Sequence, residues 1–321
     1  MAVVSNGRKE RAPPKVLITG AGGFVGRHLT AALAASHPDW VLDAPNSPGG
    51  VDVTDAPAVE AWIRDARPDI VVHLAAVAAV TASVKDPRLA WQVNLGGALN
   101  VVLAMQQHAP AAHLLFVSSA EVYGDSLKNA GPATEAVLLQ PVNPYAASKA
   151  AADLLVRQAM AGGLSGTVMR PFNHTGAGQS EAFVAPNFAA QIARIEAGLS
   201  PPVIEVGSLD EERDFLDVSD VVRAYVLMLE RAGRPETAGV FNVASGRAVR
   251  IGDLLEQLMS MAEVRIQVRV DPTRLRATRI QRVVGDATRL RSLGWAPTVP
   301  IADTLSAVLE DRRRAIAEEQ V

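Results

Sequence analysis

Cysteine is absent from all 321 residues, which excludes disulfides, thiolate catalysis and thiolate metal sites. The six histidines show no metal-ligand spacing, so no metal site is expected. Basic blocks are also lacking: 31 Lys and Arg stand against 34 Asp and Glu, and the net charge of −3 argues against a nucleic-acid surface. Arg265 to Arg282 is rich in arginine, but apolar residues interleave it as in a lid or a solvated face. The longest apolar run, Ile70 to Val80, falls short of the about 20 residues that span a bilayer. Met1 to Pro14 has no long apolar segment and reads as a disordered tail. These absences lead to the expectation of a cytoplasmic, soluble chain without membrane or nucleic-acid partners.

What is present begins at Lys15-Val-Leu-Ile-Thr-Gly-Ala-Gly-Gly-Phe-Val-Gly-Arg27, a short buried strand that turns through glycines into a helix. Gly20, Gly23 and Gly26 stand three apart: the first suits a tight turn, the second a close backbone approach to a pyrophosphate, and the third helix packing against the strand. Unpaired amides and the helix dipole then favour an anion there. A second strand, Trp40 to Asp43, ends in an acidic residue where a carboxylate accepts hydrogen bonds from the adenosine ribose. Asp43 therefore favours NAD(H), although NADP(H) stays possible; no arginine follows in Ala44 to Pro48 to receive a 2′-phosphate. Val51 to Asp55 reads as a third strand end that brings Asp52 and the Val53 amide to the adenine edge. The nearly continuous apolar segment from Asp69 to Ala76 predicts a parallel strand covered on both faces, with Leu74, Ala75 and Ala76 lying against a cofactor. His73, inside that strand, reads as a satisfied core residue.

Tyr145-Ala-Ala-Ser-Lys149 opens a helix of good formers, so Tyr145 and Lys149 lie one turn apart on one face. A free phenol titrates near pH ~10, and an adjacent ammonium stabilises the phenolate and lowers that value. Leu114 to Ser119 predicts another buried strand, which ends in a hydroxyl at the sheet edge where open α/β folds bind ligands. Ser119 is then the third partner, on the reacting oxygen.

With TGAGGFVG at 19–26, HLAA at 73–76, VN at 93–94, SSAEVYG at 118–124 and NPYAASK at 143–149, the chain resembles the extended short-chain dehydrogenase/reductases, the family of nucleotide-sugar epimerases, dehydratases and reductases. The likeness runs from about Lys15 to Leu293-Gly-Trp-Ala-Pro297. It implies an α/β doubly wound parallel sheet, the Rossmann fold, with a smaller α/β substrate-binding domain. It also implies a Ser119–Tyr145–Lys149 catalytic set and cofactor contacts from Phe24, Val25, Asn94 and Pro171, with Asn94 in a structural role.

A narrower likeness rests on Arg170-Pro-Phe-Asn-His-Thr-Gly-Ala-Gly-Gln179, Phe183 to Phe188, and Val206 to Val218. These segments look like those of GDP-6-deoxy-4-ketohexose reductases and GDP-mannose 4,6-dehydratases. They imply that Asn173 and Arg213 hold a diphosphate, that the Arg276 region closes over the nucleoside, and that Ser83, Ser119, Phe183 and Val184 also face the substrate. Two places depart from the pattern. Arg276-Ala-Thr-Arg279 stands where relatives carry Arg-Pro-x-Glu, replacing a ribose acceptor with a cation, and Gly176-Ala-Gly178 stands for Gly-Pro-Gly.

Glu121 matches a position where dehydratases use a glutamate as the base at sugar carbon 5, which keeps a dehydratase or epimerase in play; a strand-end carboxylate bonded to backbone is the plain alternative. Dehydratases generally carry threonine at the Ser119 position, and several an acid where this chain has Ala120. What tilts the choice is Arg213-Asp-Phe-Leu-Asp-Val with FNHTG, which is more similar to the reductases than to the dehydratases, so the reductase is preferred. A nicotinamide sensor, the remaining alternative, has lost the tyrosine and lysine that this chain keeps. By family pattern, 15–170 and 214–244 form the nucleotide half and 171–213 and 245–315 the substrate half. Pro87 to Gln107 and Tyr145 to Met160 match helices with which relatives build a four-helix homodimer contact, although Leu95, Leu99 and Val102 are equally explained by packing on the sheet.

Overall fold

The computed structural model describes residues 12–45, 50–128, 131–274 and 280–319. Strands and helices alternate through the first half: β1 (Lys15–Thr19), α1 (Phe24–Ser36), β2 (Val41–Asp43), α2 (Ala56–Ala66) and β3 (Ile70–His73). Three helices follow, α3 (Val80–Lys85), α4 (Pro87–Trp91) and α5 (Gly97–His108), then β4 (His113–Val117), α6 (Pro144–Ala161) and β5 (Gly166–Pro171). The second half holds β6 (Asn173–Thr175), α7 (Val184–Glu196), β7 (Val203–Val206), β8 (Glu212–Asp217), α8 (Val218–Glu230), β9 (Gly239–Val243) and β10 (Ala248–Arg250). It closes with α9 (Ile251–Ser260), β11 (Gln267–Val270), β12 (Arg282–Val283), α10 (Thr288–Ser292) and α11 (Ile301–Glu319).

Among the described residues the large sheet has the order β2-β1-β3-β4-β5-β9, every pair parallel. Apolar runs such as Val16-Leu-Ile18 and Val71-Val72 are buried on both faces, as a sheet sandwiched by helices demands. One core cluster joins the sheet to α1 and α8; a second, on the opposite face, joins it to α2, α5 and α6. The doubly wound α/β expectation holds. Chain order reverses between β1 and β3, and at such a switch point the loops after the strands part into a crevice.

The smaller sheets contain β10-β8-β12, with β6 added on β8, and β11 beside β7. A third core cluster under α7, α9 and α11 supports them. Asp214 to Asp217, expected on the nucleotide side, lie in β8 of a smaller sheet, and the chain rejoins the flank of the large sheet only with α8.

Three local expectations need correction. Val51 to Asp55 is not a strand: the Asp52 carboxylate accepts from the Thr54 N–H and hydroxyl, both at 2.9 Å, while Asp55 caps α2 through the Ala58 N–H, so side chains take the place of a ladder. β3 ends at His73, because Leu74 and Ala75 turn to hydrogen-bond the Thr19 carbonyl and hydroxyl instead of continuing the strand. The helix read over Pro87 to Gln107 continues through α4 and α5, and what differs from the expectation is a π-turn at Gln92–Gly96, which carries Asn94 inward.

Candidate active site

The turn after β1 is shaped for close approach. Gly20 has φ +70°, and a Cβ on it would sit 2.7 Å from the Ala75 nitrogen; a Cβ on Gly26 would collide with the Gly20 carbonyl. Gly23 stands at the N-terminus of α1, whose first turn has no side-chain cap and no acidic residue, so its amides face the crevice uncompensated. The groove there, about 330 Å³, is lined by Gly20 to Gly23, Pro45, Gly50 to Val53 and Ala75. A cradle that any Cβ would fill, beside an uncapped helix start, fits the pyrophosphate and adenosine of a dinucleotide.

Around this groove, Asp52 and Val53 lie in its wall, although the Asp52 carboxylate is held by Thr54 and its pKa lies below the ordinary value for that reason. Asp43, at the end of β2, accepts a hydrogen bond from Trp62 Nε1 at 3.0 Å. Phe24 and Val25 open α1, half-buried against the first core cluster, as is Leu74; Ala76 is half-buried just beyond. Asn94 takes the Val77 N–H at 2.8 Å and donates to Ser148 Oγ at 2.9 Å, tying the segment after β3 to α6. Those are structural bonds.

Toward the middle of the sheet edge, β4 delivers Ser119, whose hydroxyl accepts from the Glu121 N–H at 3.2 Å. Asn143 caps α6 through the Ala146 N–H at 2.8 Å, and Pro144 follows at the first helical turn, which sets Tyr145 at the helix start. Burial pushes the Tyr145 phenol up to about 12; a hydrogen bond with Ser119 opposes the shift and the Glu121 charge adds to it. The direction is opposite to that expected from an adjacent ammonium. Burial is the cause, and the Lys149 Nζ turns instead to the Val117 carbonyl, 4.7 Å from the centre of the Phe116 ring. Burial lowers its pKa to about 8, with Asp153 pulling the other way. Glu121 receives a long 3.4 Å bond from Asn143 Nδ2.

His73 is not fully satisfied. Its Nδ1 bonds Thr19 Oγ1 at 2.8 Å, but Nε2 is buried without a partner, and burial together with the Lys149 charge lowers its pKa to about 3. Behind Lys149, one turn along α6, Asp153 and Arg170 of β5 form a buried bidentate pair at 2.8 and 2.9 Å. Sequence reading noted Arg170 only as part of a motif and missed this pair; its signal is the i, i+4 spacing of Asp153 from Lys149.

On the other side of the crevice, Pro171 ends β5 and Asn173 lies in β6, half-buried. Phe183 and Val184 start α7. Arg213 is engaged with Glu211 Oε2 at 2.6 Å and with the carbonyls of Glu212 and Gln281. Ser83 is fully buried and donates to the Val80 carbonyl at 2.7 Å within α3, so its hydroxyl is committed to its own helix. Arg276, and Arg279 with it, lie outside the described residues. The loop Gly176 to Gly178 is tied to α1 by His28 and Arg27 and to α11 by Asp311. Among the described residues no group of three or more His, Asp and Glu could hold a metal ion.

Residues 16–244 match the model of the NAD dependent epimerase/dehydratase family. The chain is 39% identical to GDP-6-deoxy-D-mannose reductase of Pseudomonas aeruginosa over 308 residues, 95% of this chain and 99% of that one. The solved structure of RMD from Pseudomonas aeruginosa, complexed with NADPH, superposes with a TM-score of 0.85 at 37% identity, covering 94% of this chain and 99% of the other. The UDP-glucose 4-epimerase of Thermus thermophilus, in complex with NAD, superposes with a TM-score of 0.78 at 29% identity, over 94% and 99% of the two chains.

Proposed function

We propose that this chain, which belongs to the NAD dependent epimerase/dehydratase family, reduces the 4-keto group of a GDP-4-keto-6-deoxyhexose to give a GDP-6-deoxy-D-mannose (GDP-rhamnose) type of product. The observation that carries the reading is the 39% identity with GDP-6-deoxy-D-mannose reductase over 95% of the chain.

The glycine turn and the groove beside it would hold a reduced nicotinamide dinucleotide, which when bound would supply a hydride for the keto carbon. Tyr145 gives its proton to the carbonyl oxygen as negative charge develops there. Its pKa, pushed up to about 12 by burial, keeps the phenol protonated at neutral pH but makes it a weak acid, so its proton leaves only as charge develops on the substrate oxygen. Ser119 orients the same oxygen with its hydroxyl. Lys149, one turn along α6 and with a pKa lowered to about 8 by burial, exchanges protons near neutral pH. Asn173, Phe183, Val184 and Arg213 receive the nucleotide diphosphate side. For Arg213 this requires exchanging Glu211 for a phosphate, to which its planar fork is equally suited.

Asp43 favours NADH, although the RMD structure holds NADPH. A NAD-retaining dehydratase or 4-epimerase is the second reading, kept by Glu121 beside Ser119 and by the epimerase likeness. A charged substrate and coenzyme suit a cytoplasmic activity, and the outward leucines of α5 and α6 support a homodimer. The test is to mix the purified protein with GDP-4-keto-6-deoxymannose and NADH or NADPH and follow the loss of reduced-nicotinamide absorbance. Stoichiometric oxidation is expected. No oxidation with either coenzyme sinks this substrate, and turnover of GDP-mannose or UDP-glucose without added coenzyme establishes the second reading.

A further inference from the structure

Asp43 is held by a residue that coenzyme contact alone does not explain. The Trp62 ring packs against the core cluster under β1 and β3, and its Nε1 donates to Asp43 Oδ2 at 3.0 Å, while Oδ1 has no hydrogen-bond partner among the described residues. The helix that carries Trp62 is itself fixed. Asp55 caps it, Val59 and Ile63 are buried, Arg67 closes it in a left-handed conformation, and Glu60 meets His108 of α5 at 3.0 Å. At the end of β2, Asp43 pairs in register with Leu17 of β1, two residues before Thr19 and the glycine turn.

We propose that Trp62 is a positioning residue for coenzyme choice: its indole pins one carboxylate oxygen of Asp43, leaving the other turned to the adenosine ribose. An aspartate without such a partner can rotate away from a 2′-phosphate and blunt the repulsion. Pinned by the indole, it keeps its charge in place and selects NAD(H) against NADP(H). The inference rests on the reading that Asp43 receives the ribose.

The test is direct binding. Dissociation constants for NADH and NADPH are measured by nicotinamide fluorescence on the full chain, for wild type, Trp62→Phe, Asp43→Asn and the double variant. Asp43→Asn should abolish the preference for NADH. Trp62→Phe should reduce the NADPH-to-NADH ratio of dissociation constants about tenfold, the order of one hydrogen bond to a charged group. In the Asp43→Asn background it should change that ratio no further. Should Trp62→Phe fail to fold, Trp62→His, which keeps a ring N–H donor, and Trp62→Met, which does not, make the same comparison. Equal weakening of both coenzymes by loss of the indole overturns the proposal, since that is what a merely structural tryptophan produces. So does an undiminished effect in the Asp43→Asn background. An unchanged ratio in Asp43→Asn removes the Asp43 reading together with this one, whereas the keto-sugar reduction assay stands or falls independently.

Discussion

At Tyr145, burial outweighs every nearby charge, and the same dryness acts on Lys149 with the opposite sign. Tyr145→Phe removes the proton donor without altering the ring, so kcat should fall by about 10²–10⁴-fold with an unchanged melting temperature; steady-state rates beside a thermal melt check it. Lys149 is the reverse case. Its folded pKa of about 8 lies below the unfolded value of 10.5, so the unfolded chain binds more protons between those values. The penalty on the fold is full below pH 8 and fades as pH rises toward 10.5. Lys149→Met should therefore abolish turnover yet leave the protein at least as stable at pH 7, by up to about 3 kcal/mol, and that advantage should vanish near pH 10.5 in urea unfolding. His73 and His113, lowered to about 3 and about 4 by burial, stay neutral in the fold. Stability should fall as pH drops below the unfolded value of 6.5, by about 1.4 kcal/mol per pH unit for each histidine until its folded pKa is passed. Urea midpoints at pH 7 and pH 5 measure it, and His113→Asn should flatten the slope.

At the scale of elements, α6 is held by the buried Asp153–Arg170 pair, extended from Arg170 to the Tyr123 hydroxyl at 3.1 Å and from there to Asn242 at 2.6 Å. Removing one partner strands a buried charge, so Asp153→Ala should cost about 3–5 kcal/mol in urea unfolding. Arg170, already in a recognisable motif, was legible in the sequence; the spacing of Asp153 one turn beyond Lys149 marks its face of α6 but does not say that a guanidinium from β5 will meet it. The same contrast runs through the site. Gly20 and Gly26 were readable because backbone geometry at a tight turn admits no Cβ, and α6 because Tyr145 opens a run of good helix formers, whereas its Asn143 cap emerges only from the fold. Val51 to Asp55 was misread because alternation of apolar and acidic residues mimics a strand end, whereas Asp52 and Asp55 spend their side chains on local backbone donors. Ser83 spends its hydroxyl on the Val80 carbonyl of its own helix and Arg213 its guanidinium on neighbouring Glu211, while the Gln281 carbonyl that Arg213 also meets is one that spacing does not encode.

At the scale of the whole molecule, what remains is the face that α4, α5 and α6 turn outward. Sequence periodicity alone left Leu95, Leu99 and Val102 equivalent, since a helix lying on a sheet and a helix lying on a partner both need an apolar stripe. The fold separates them: Val102 is 2% exposed, whereas Leu99 is 39% and Leu103, one turn further along, 53%. Trp91 of α4 and Leu154 of α6 are exposed as well, at 40% and 54%. Exposed large apolar side chains on three helices packed together are what a surface covered by a partner offers, and in a closed dimer each copy presents the same face to the other. The changes Leu99→Glu and Leu103→Glu, made together, set like charges against each other across such a two-fold contact without touching the core. The pair should convert the protein from twice the chain mass to one chain mass in light scattering, with a far-ultraviolet spectrum unchanged. If the variant stays at twice the chain mass, the helices are not the contact; if wild type already runs as a single chain, the proposed homodimer is wrong.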